Sequence, residues 1–205
     1  MIECDRLAEL ELPRSELQQM IDETSLPSCQ GLSSTHSTCY LAEISIRRLL
    51  NRIHNSLYPR KSRVQAMTFP SLMAADEFSL DEISSMSPVC DELRRQLDLW
   101  HASIPEHCRP PISTDIIEDE RIAILRIRYF AARHIIYRPF ALYIATHSDD
   151  VPQNMTGQAA ICIESCRLYL HCTSQILQRS SQYTWTFSLS CVLSLHISVP
   201  PSIRA

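Results

Sequence analysis

Apolar residues recur at helical spacing in four stretches of the 205-residue chain. In the first stretch, Tyr40–Tyr58, the apolar positions that repeat every three or four residues are Ile46, Leu49, Leu50, Ile53 and Leu57. This spacing predicts an amphipathic helix. Glu43 and Arg47 lie one turn apart in the order that favours an ion pair, and Pro59 is expected to end the helix.

A second helix is predicted near Ser87–Ala102. Its shared apolar face consists of Leu93, Leu97 and Trp100. Pro88 is expected in the first turn, where its missing N–H costs nothing. Asp91 and Glu92 would then lie at the start of the helix, where the helix dipole favours acids.

The third stretch, roughly Ile116–Thr146, is predicted to be the core helix. Apolar residues cover nearly its whole circumference: Ile122, Leu125, Tyr129, Ala132 and Ile136 on one side, and Ile124, Ile127, Phe130 and Ile135 on the others. A helix that is apolar all round is usually buried. Five arginines interrupt it (Arg121, Arg126, Arg128, Arg133 and Arg138), and buried arginines need acidic or carbonyl partners. Pro139 is expected to kink or break the helix.

A fourth helix is predicted over Gly157–Gln178. Its expected apolar stripe is Ile163, Cys166, Leu170, Thr173 and Leu177. Shorter helices are expected at Asp5–Ile21 and Tyr183–Val199. Three irregular segments are expected between the helices: Ser25–Ser37, Arg60–Pro88 and His147–Thr156.

The chain contains only two glycines, Gly31 and Gly157, and this rules out several site classes. Glycine-rich phosphate loops need two or more glycines in a short window. The tight turns of most β-hairpins also depend on glycine. The sequence therefore predicts an all-α fold, with several helices packed around the third.

The charge balance argues against direct binding of nucleic acid. The chain carries 19 Lys and Arg against 23 Asp and Glu, for a net charge of −4, whereas nucleic-acid-binding domains usually have a basic excess. Ser180–Ile203 contains no charged residue and is long enough to span a bilayer. Its serines and two prolines favour a buried helix instead, so no membrane association is expected.

Two groups of cysteine and histidine residues are candidate metal sites. Cys162, Cys166 and Cys172 lie on the fourth predicted helix beside His171. Two cysteines one turn apart can share a soft metal, but their place in the apolar stripe favours core packing. The second group, His101, His107 and Cys108, flanks prolines and is read as an exposed polar turn.

Catalytic residues, metals and cofactors are therefore not expected, and the chain is not expected to be an enzyme. The acids Glu118, Asp119 and Glu120 open the third helix. They are interpreted as partners of the helix dipole and of arginine rather than as catalytic carboxylates. The run from Arg133 to Phe140 combines arginine, aromatic residues and proline. It suggests a ligand pocket or a structural clamp, and its composition favours the clamp.

Four stretches resemble a known family, the regulatory or middle homology region of fungal binuclear zinc-cluster transcription factors. They are Cys39–Tyr58, Asp91–Pro110, Ile124–Phe140 and Cys162–Leu177. The most specific piece is the Arg-His-Ile-Ile-Tyr-Arg-Pro-Phe run, and the family-motif residues in it are Arg133, Tyr137, Arg138, Pro139 and Phe140.

The resemblance implies a nuclear, all-α regulatory domain that acts in transcription through other transcription proteins or a small-molecule effector. The zinc cluster of the family needs two Cys-x-x-Cys pairs, which this sequence lacks, so zinc and DNA binding are not carried over. We expect an N-terminal segment and linker at residues 1–38, the helical domain at 39–190, and a divergent tail at 191–205. The helical domain is expected to be incomplete at its C-terminus. The alternative function is a helical adaptor for protein–protein interaction with no transcriptional role.

Overall fold

The computed structural model describes residues 24, 25, 31, 34–58, 79–147 and 151–179. Four long helices account for most of them: α1 (Ser34–Leu57), α2 (Leu80–Ser103), α3 (Glu120–Thr146) and α4 (Gln153–Leu177). A short 3₁₀ helix, Glu106–Cys108, follows α2. These ranges contain no β-strand, so the predicted all-α fold is confirmed for this part of the chain.

The start of α2 differs from the prediction. The helix begins at Leu80, because Ser79 and Glu82 form a capping box. The Ser79 hydroxyl accepts a hydrogen bond from the Glu82 N–H, and the Glu82 carboxylate accepts one from the Ser79 N–H. Pro88 therefore lies inside the helix and not in its first turn. The acids of the first turn are Asp81 and Glu82, so the dipole role predicted for Asp91 and Glu92 was wrong.

The other helices also begin at positions the periodicity did not mark. α1 and α4 start earlier than predicted, at Ser34 and Gln153, and so take residues from the expected loops. α3 starts later, at Glu120, because Asp119 caps it by accepting the Arg121 N–H at 2.9 Å. α3 then continues through Pro139 to Thr146, so the break expected at that proline does not occur.

α3 is the central helix. It contacts α1, α2 and α4, and its contact with α4 is the most extensive. Its buried residues lie on every side, as predicted: they include Ile124, Leu125, Ile127, Tyr129, Phe130, Ala132, Ile135, Ile136 and Phe140. The Arg126 guanidinium, near the start of α3, donates to the Gln175 side chain near the end of α4 at 3.1 Å. The His134 carbonyl oxygen, later in α3, accepts from the Cys162 thiol early in α4. The two helices are therefore antiparallel.

The buried face of α4 is rotated from the predicted stripe. Ile163 is 56% exposed, so its assignment to the core was wrong. Seven of the nine buried positions instead advance in alternating steps of four and three residues: Met155, Ala159, Cys162, Cys166, Tyr169, Thr173 and Ile176, with Ser165 and Cys172 beside them. This is the spacing of a helix that packs along one partner.

The buried arginines of α3 have the partners that the sequence analysis required. Arg126, only 2% exposed, donates to the carbonyl oxygens of Ser113 at 2.8 Å and Asp115 at 2.7 Å. Arg128 lies 3.6 Å from the Glu43 carboxylate, which also accepts from Arg47 at 2.8 Å. The Arg126 bonds fasten the segment between α2 and α3 against the core.

Several predictions fall outside the described residues. They concern the helices expected at Asp5–Ile21 and Tyr183–Val199 and the uncharged segment Ser180–Ile203. Among the helices in the described ranges, none has the length and apolar character needed to cross a membrane.

Candidate functional site

The family-motif residues surround one backbone defect in α3. In a regular helix the N–H of residue 139 would donate to the carbonyl oxygen of Ile135, but proline has no N–H. Ile135 is buried, so water cannot easily replace that donor. The hydroxyl of Tyr58, directly after α1, donates to this oxygen at 3.1 Å. A side chain from another element thus supplies the missing hydrogen bond.

The two neighbouring carbonyls also receive donors from other helices. The Cys90 thiol of α2 donates to the Ile136 oxygen at 3.3 Å, and the Cys162 thiol of α4 donates to the His134 oxygen at 3.6 Å. A carbonyl oxygen has two lone pairs, so each can accept a thiol in addition to its helical N–H. Three successive carbonyls of α3 therefore bond to the three chain segments packed around it, and we call residues 134–136 the carbonyl clamp.

The aromatic and arginine side chains of the motif pack beside the carbonyl clamp. The Arg138 guanidinium carbon lies 5.9 Å from the centre of the Tyr58 ring, within the range of a cation–π contact. Tyr137 and Phe140 are buried with their ring centres 6.5 Å apart. Burial also raises the pKa of Tyr137. The Arg138 contact helps to hold the Tyr58 side chain that donates to Ile135, and Pro139 itself is buried.

Tyr137, Arg138, Pro139 and Phe140 lie together around the proline, and Arg133, one turn before Tyr137, acts on Tyr137 electrostatically. Arg133 lies about two turns before Pro139 and is half-buried. The Arg167 guanidinium lowers the pKa of Glu164 by hydrogen bonding, and Arg133 adds a smaller electrostatic contribution in the same direction. Arg133 also acts electrostatically on Tyr129, one turn earlier in α3.

His134 is the one titratable group within the carbonyl clamp. Its side chain is buried, and its Nε2 atom has no hydrogen-bond partner among the described residues. Burial, aided by the nearby positive charge of Arg138, lowers the pKa of His134 to about 3. The imidazole is therefore neutral at physiological pH.

The cysteines of α4 lie in the core. Cys162, Cys166 and Cys172 are all buried, and His171 is exposed and contacts Gln175. Burial raises the pKa of Cys162 to about 12 and raises that of Cys172, so both thiols stay protonated and are weak nucleophiles. No group of three or more His, Cys, Asp or Glu suited to a metal ion occurs in the described ranges.

The second cysteine–histidine group differs from its prediction at two residues, Cys108 and His101. His107 is exposed, as expected of a polar turn, but Cys108 is fully buried. His101 is half-buried, and its Nε2 atom lies 2.8 Å from the Pro110 carbonyl oxygen. The centres of the His101 and Tyr129 rings are 5.3 Å apart. This group packs the segment after α2 onto α1 and α3.

Sequence reasoning missed the donors Tyr58, Cys90 and Cys162. A proline inside a helical pattern signals that the carbonyl four residues earlier needs a new donor, and this signal pointed to Ile135. It does not indicate which residue supplies the donor, because that depends on how the helices pack. Comparisons of the chain with protein-family models, curated proteins and solved structures found no match.

Proposed function

We propose that this chain is a helical regulatory domain that acts in transcription in the nucleus, through other transcription proteins or a small-molecule effector and without contacting DNA itself. The observation that supports it is the carbonyl clamp. The motif residues that resemble those of fungal zinc-cluster regulatory regions lie where α3 bonds to Tyr58, α2 and α4.

The carbonyl clamp suits a regulatory role for a physical reason. The Ile135 carbonyl, which has no helical donor, would incur a desolvation cost of about 1–3 kcal/mol if it lost the Tyr58 hydroxyl. Displacement of the chain after α1, of α2 or of α4 would disturb a hydrogen bond on the same turn of α3. An effector that binds one of these elements can therefore shift the population of states of the others. The net charge of −4 agrees with a partner other than nucleic acid.

A tethering assay tests this proposal directly. The full chain is fused to a DNA-binding domain of known specificity, and the output of a reporter gene carrying its site is measured. We expect the fusion to change reporter output relative to the DNA-binding domain alone. We expect Tyr58→Phe, which removes only the clamp hydroxyl, to alter that effect. Tyr40→Phe is the matched control, because Tyr40 is 39% exposed.

Two outcomes would contradict the proposal. One is a fusion with no effect on the reporter although it is expressed and folded. The other is exclusion of the tagged full chain from the nucleus. Recovery of a protein partner outside the nucleus, together with an inactive fusion, would favour the helical adaptor instead.

A further inference from the structure

Two buried thiols from separate parts of the chain meet near the start of α1. Cys39 lies in the second turn of α1, and Cys108 ends the 3₁₀ helix that follows α2. The Cys108 thiol is close enough to Cys39 to raise the pKa of the Cys39 thiol, in addition to the larger effect of burial. Cys39 and Cys108 are 3% and 0% exposed.

A second contact locates Cys108 independently. The Cys108 sulfur lies 3.7 Å from the carbonyl oxygen of Thr35. Thr35 precedes Cys39 by four residues, so within α1 the same oxygen accepts the backbone N–H of Cys39. The Cys108 thiol is therefore held at the turn of α1 from which the Cys39 side chain projects.

The other neighbouring cysteines make a useful contrast. Cys162 and Cys166 lie one turn apart on α4 and are both buried. Side chains four residues apart on a helix have Cβ atoms roughly 5–6 Å apart, whereas a disulfide needs about 3.5–4.5 Å. The helix therefore prevents Cys162 and Cys166 from bridging. Cys39 and Cys108 belong to different elements and are under no such constraint.

We propose that Cys39 and Cys108 form a disulfide latch, closed by a hydroperoxide and opened by a thiol reductant. The hydroperoxide oxidises one thiol to a sulfenic acid and is itself reduced, releasing water when it is hydrogen peroxide. The second thiol attacks the sulfenic sulfur, the S–S bond forms, the S–O bond breaks and a water molecule leaves. Two electrons pass from the two sulfurs to the peroxide. Two thiols of an added reductant return two electrons and two protons by exchange.

The environment of the pair makes the latch slow. Burial, together with the nearby Cys108 thiol, raises the pKa of Cys39 to about 12, and protonated thiols react poorly with peroxides. We therefore expect closure only under lasting oxidation. The closed latch would join segments that are already in contact, because the Trp100 indole of α2 donates to the carbonyl oxygen of Ala42, one turn after Cys39 in α1, at 3.3 Å.

Peptide mapping tests the bond itself. The full chain is treated with hydrogen peroxide, its remaining thiols are alkylated, and the protein is digested without reductant for mass spectrometry. We expect a Cys39–Cys108 linked peptide that disappears on treatment with dithiothreitol, and no bridge between Cys162 and Cys166. The proposal is overturned if the other cysteines oxidise and this peptide is absent, or if Cys39→Ser retains the cross-link to Cys108 in equal yield.

Thermal unfolding tests the mechanical effect. A bridge between residues 39 and 108 restricts the unfolded chain, so the oxidised protein should unfold at a higher temperature than the reduced protein. Dithiothreitol should reverse the shift, and Cys108→Ser, checked for folding by circular dichroism, should not show it. An equal or lower unfolding temperature for the oxidised wild-type chain would overturn the latch. The peptide map needs no variant and is independent of any role in transcription.

Discussion

Two prolines lie inside helices of this protein, and their surroundings are opposite. Pro88 of α2 is exposed, and so is Ser84, whose carbonyl loses its N–H partner. Water can replace that partner. Pro139 of α3 is buried, and so is Ile135, whose carbonyl loses its partner there. There the protein supplies the replacement, from the Tyr58 hydroxyl.

The difference shows that a helix tolerates proline wherever the carbonyl four residues earlier finds another donor. At Pro88 solvent provides it and no neighbouring element is involved. At Pro139 the replacement requires the residue after α1 to be placed correctly against α3. The proline in α3 thereby makes one helix dependent on the position of another. The following predictions test that contrast, from the largest expected effect to the smallest.

The largest effect is expected from a charge placed in α3. Leu125 is 1% exposed, so Leu125→Asp would bury an unpaired carboxylate and should lower the free energy of unfolding by several kcal/mol, about 3–5. Leu99→Asp on α2 is the matched control, because Leu99 is 54% exposed, and should change it by less than about 0.5 kcal/mol. Urea unfolding measures both. Equal effects would contradict the assignment of α3 as the core helix.

Loss of the Tyr58 hydroxyl should have the next largest effect. Tyr58→Phe leaves the buried Ile135 oxygen without its donor and should lower the free energy of unfolding by about 1–3 kcal/mol. Tyr40→Phe, at a more exposed position, should have little effect. Urea unfolding at neutral pH compares the two variants.

A second variant identifies the cause of the Tyr58 effect. Pro139→Ala restores the N–H that normally bonds the Ile135 oxygen. In that background Tyr58→Phe should cost less, and the double-mutant cycle should give a coupling energy of about 0.5 kcal/mol or more. Additive effects would mean that Tyr58 acts through its ring contacts and not through the Ile135 carbonyl.

Much of this contrast follows from sequence, but not all of it. The pattern predicted four helices and placed α3 in the core, because residues such as Leu125 and Phe130 mark burial through spacing alone. It placed Pro88 in a first turn, because Ser87-Pro88 resembles a helix start. The capping box at Ser79 and Glu82 determines the start of the helix instead.

The partners across helices were not predictable for a different reason. Ile163 fits the apolar periodicity of α4 but is exposed, because the contact with α3 determines which face is buried. The donors Tyr58 and Cys90 belong to segments distant in sequence from the carbonyls they bind. The motif predicted a structural clamp, whereas helix packing determines which side chains donate to its carbonyl oxygens.

Acid should destabilise the protein through His134, which belongs to the carbonyl clamp. Its folded-state pKa is about 3, below the ordinary value of 6.5. Between pH 6.5 and 3 the unfolded chain binds a proton that the folded chain does not, so stability falls as pH falls in that window. The slope from this group reaches at most about 1.4 kcal/mol per pH unit.

Glutamine at position 134 isolates this contribution. His134→Gln should flatten the dependence of the free energy of unfolding on pH between 6.5 and 3, measured by urea unfolding at several pH values. His107→Gln, at an exposed position, should leave the slope unchanged. An unaltered slope in His134→Gln would mean that other groups account for the acid sensitivity.

The smallest effect of a single substitution, and the direct comparison of the two prolines, comes from alanine at each. Pro88→Ala restores an N–H at an exposed helix position and should raise the free energy of unfolding by about 1 kcal/mol. The gain is below the roughly 3 kcal/mol of intrinsic propensity, because proline also restricts the unfolded chain. Pro139→Ala should gain less or be destabilising, because its buried ring is lost and Tyr58 already satisfies Ile135. Equal gains at both positions would show that the buried carbonyl was never effectively bonded by Tyr58, and that the two prolines are tolerated for the same reason.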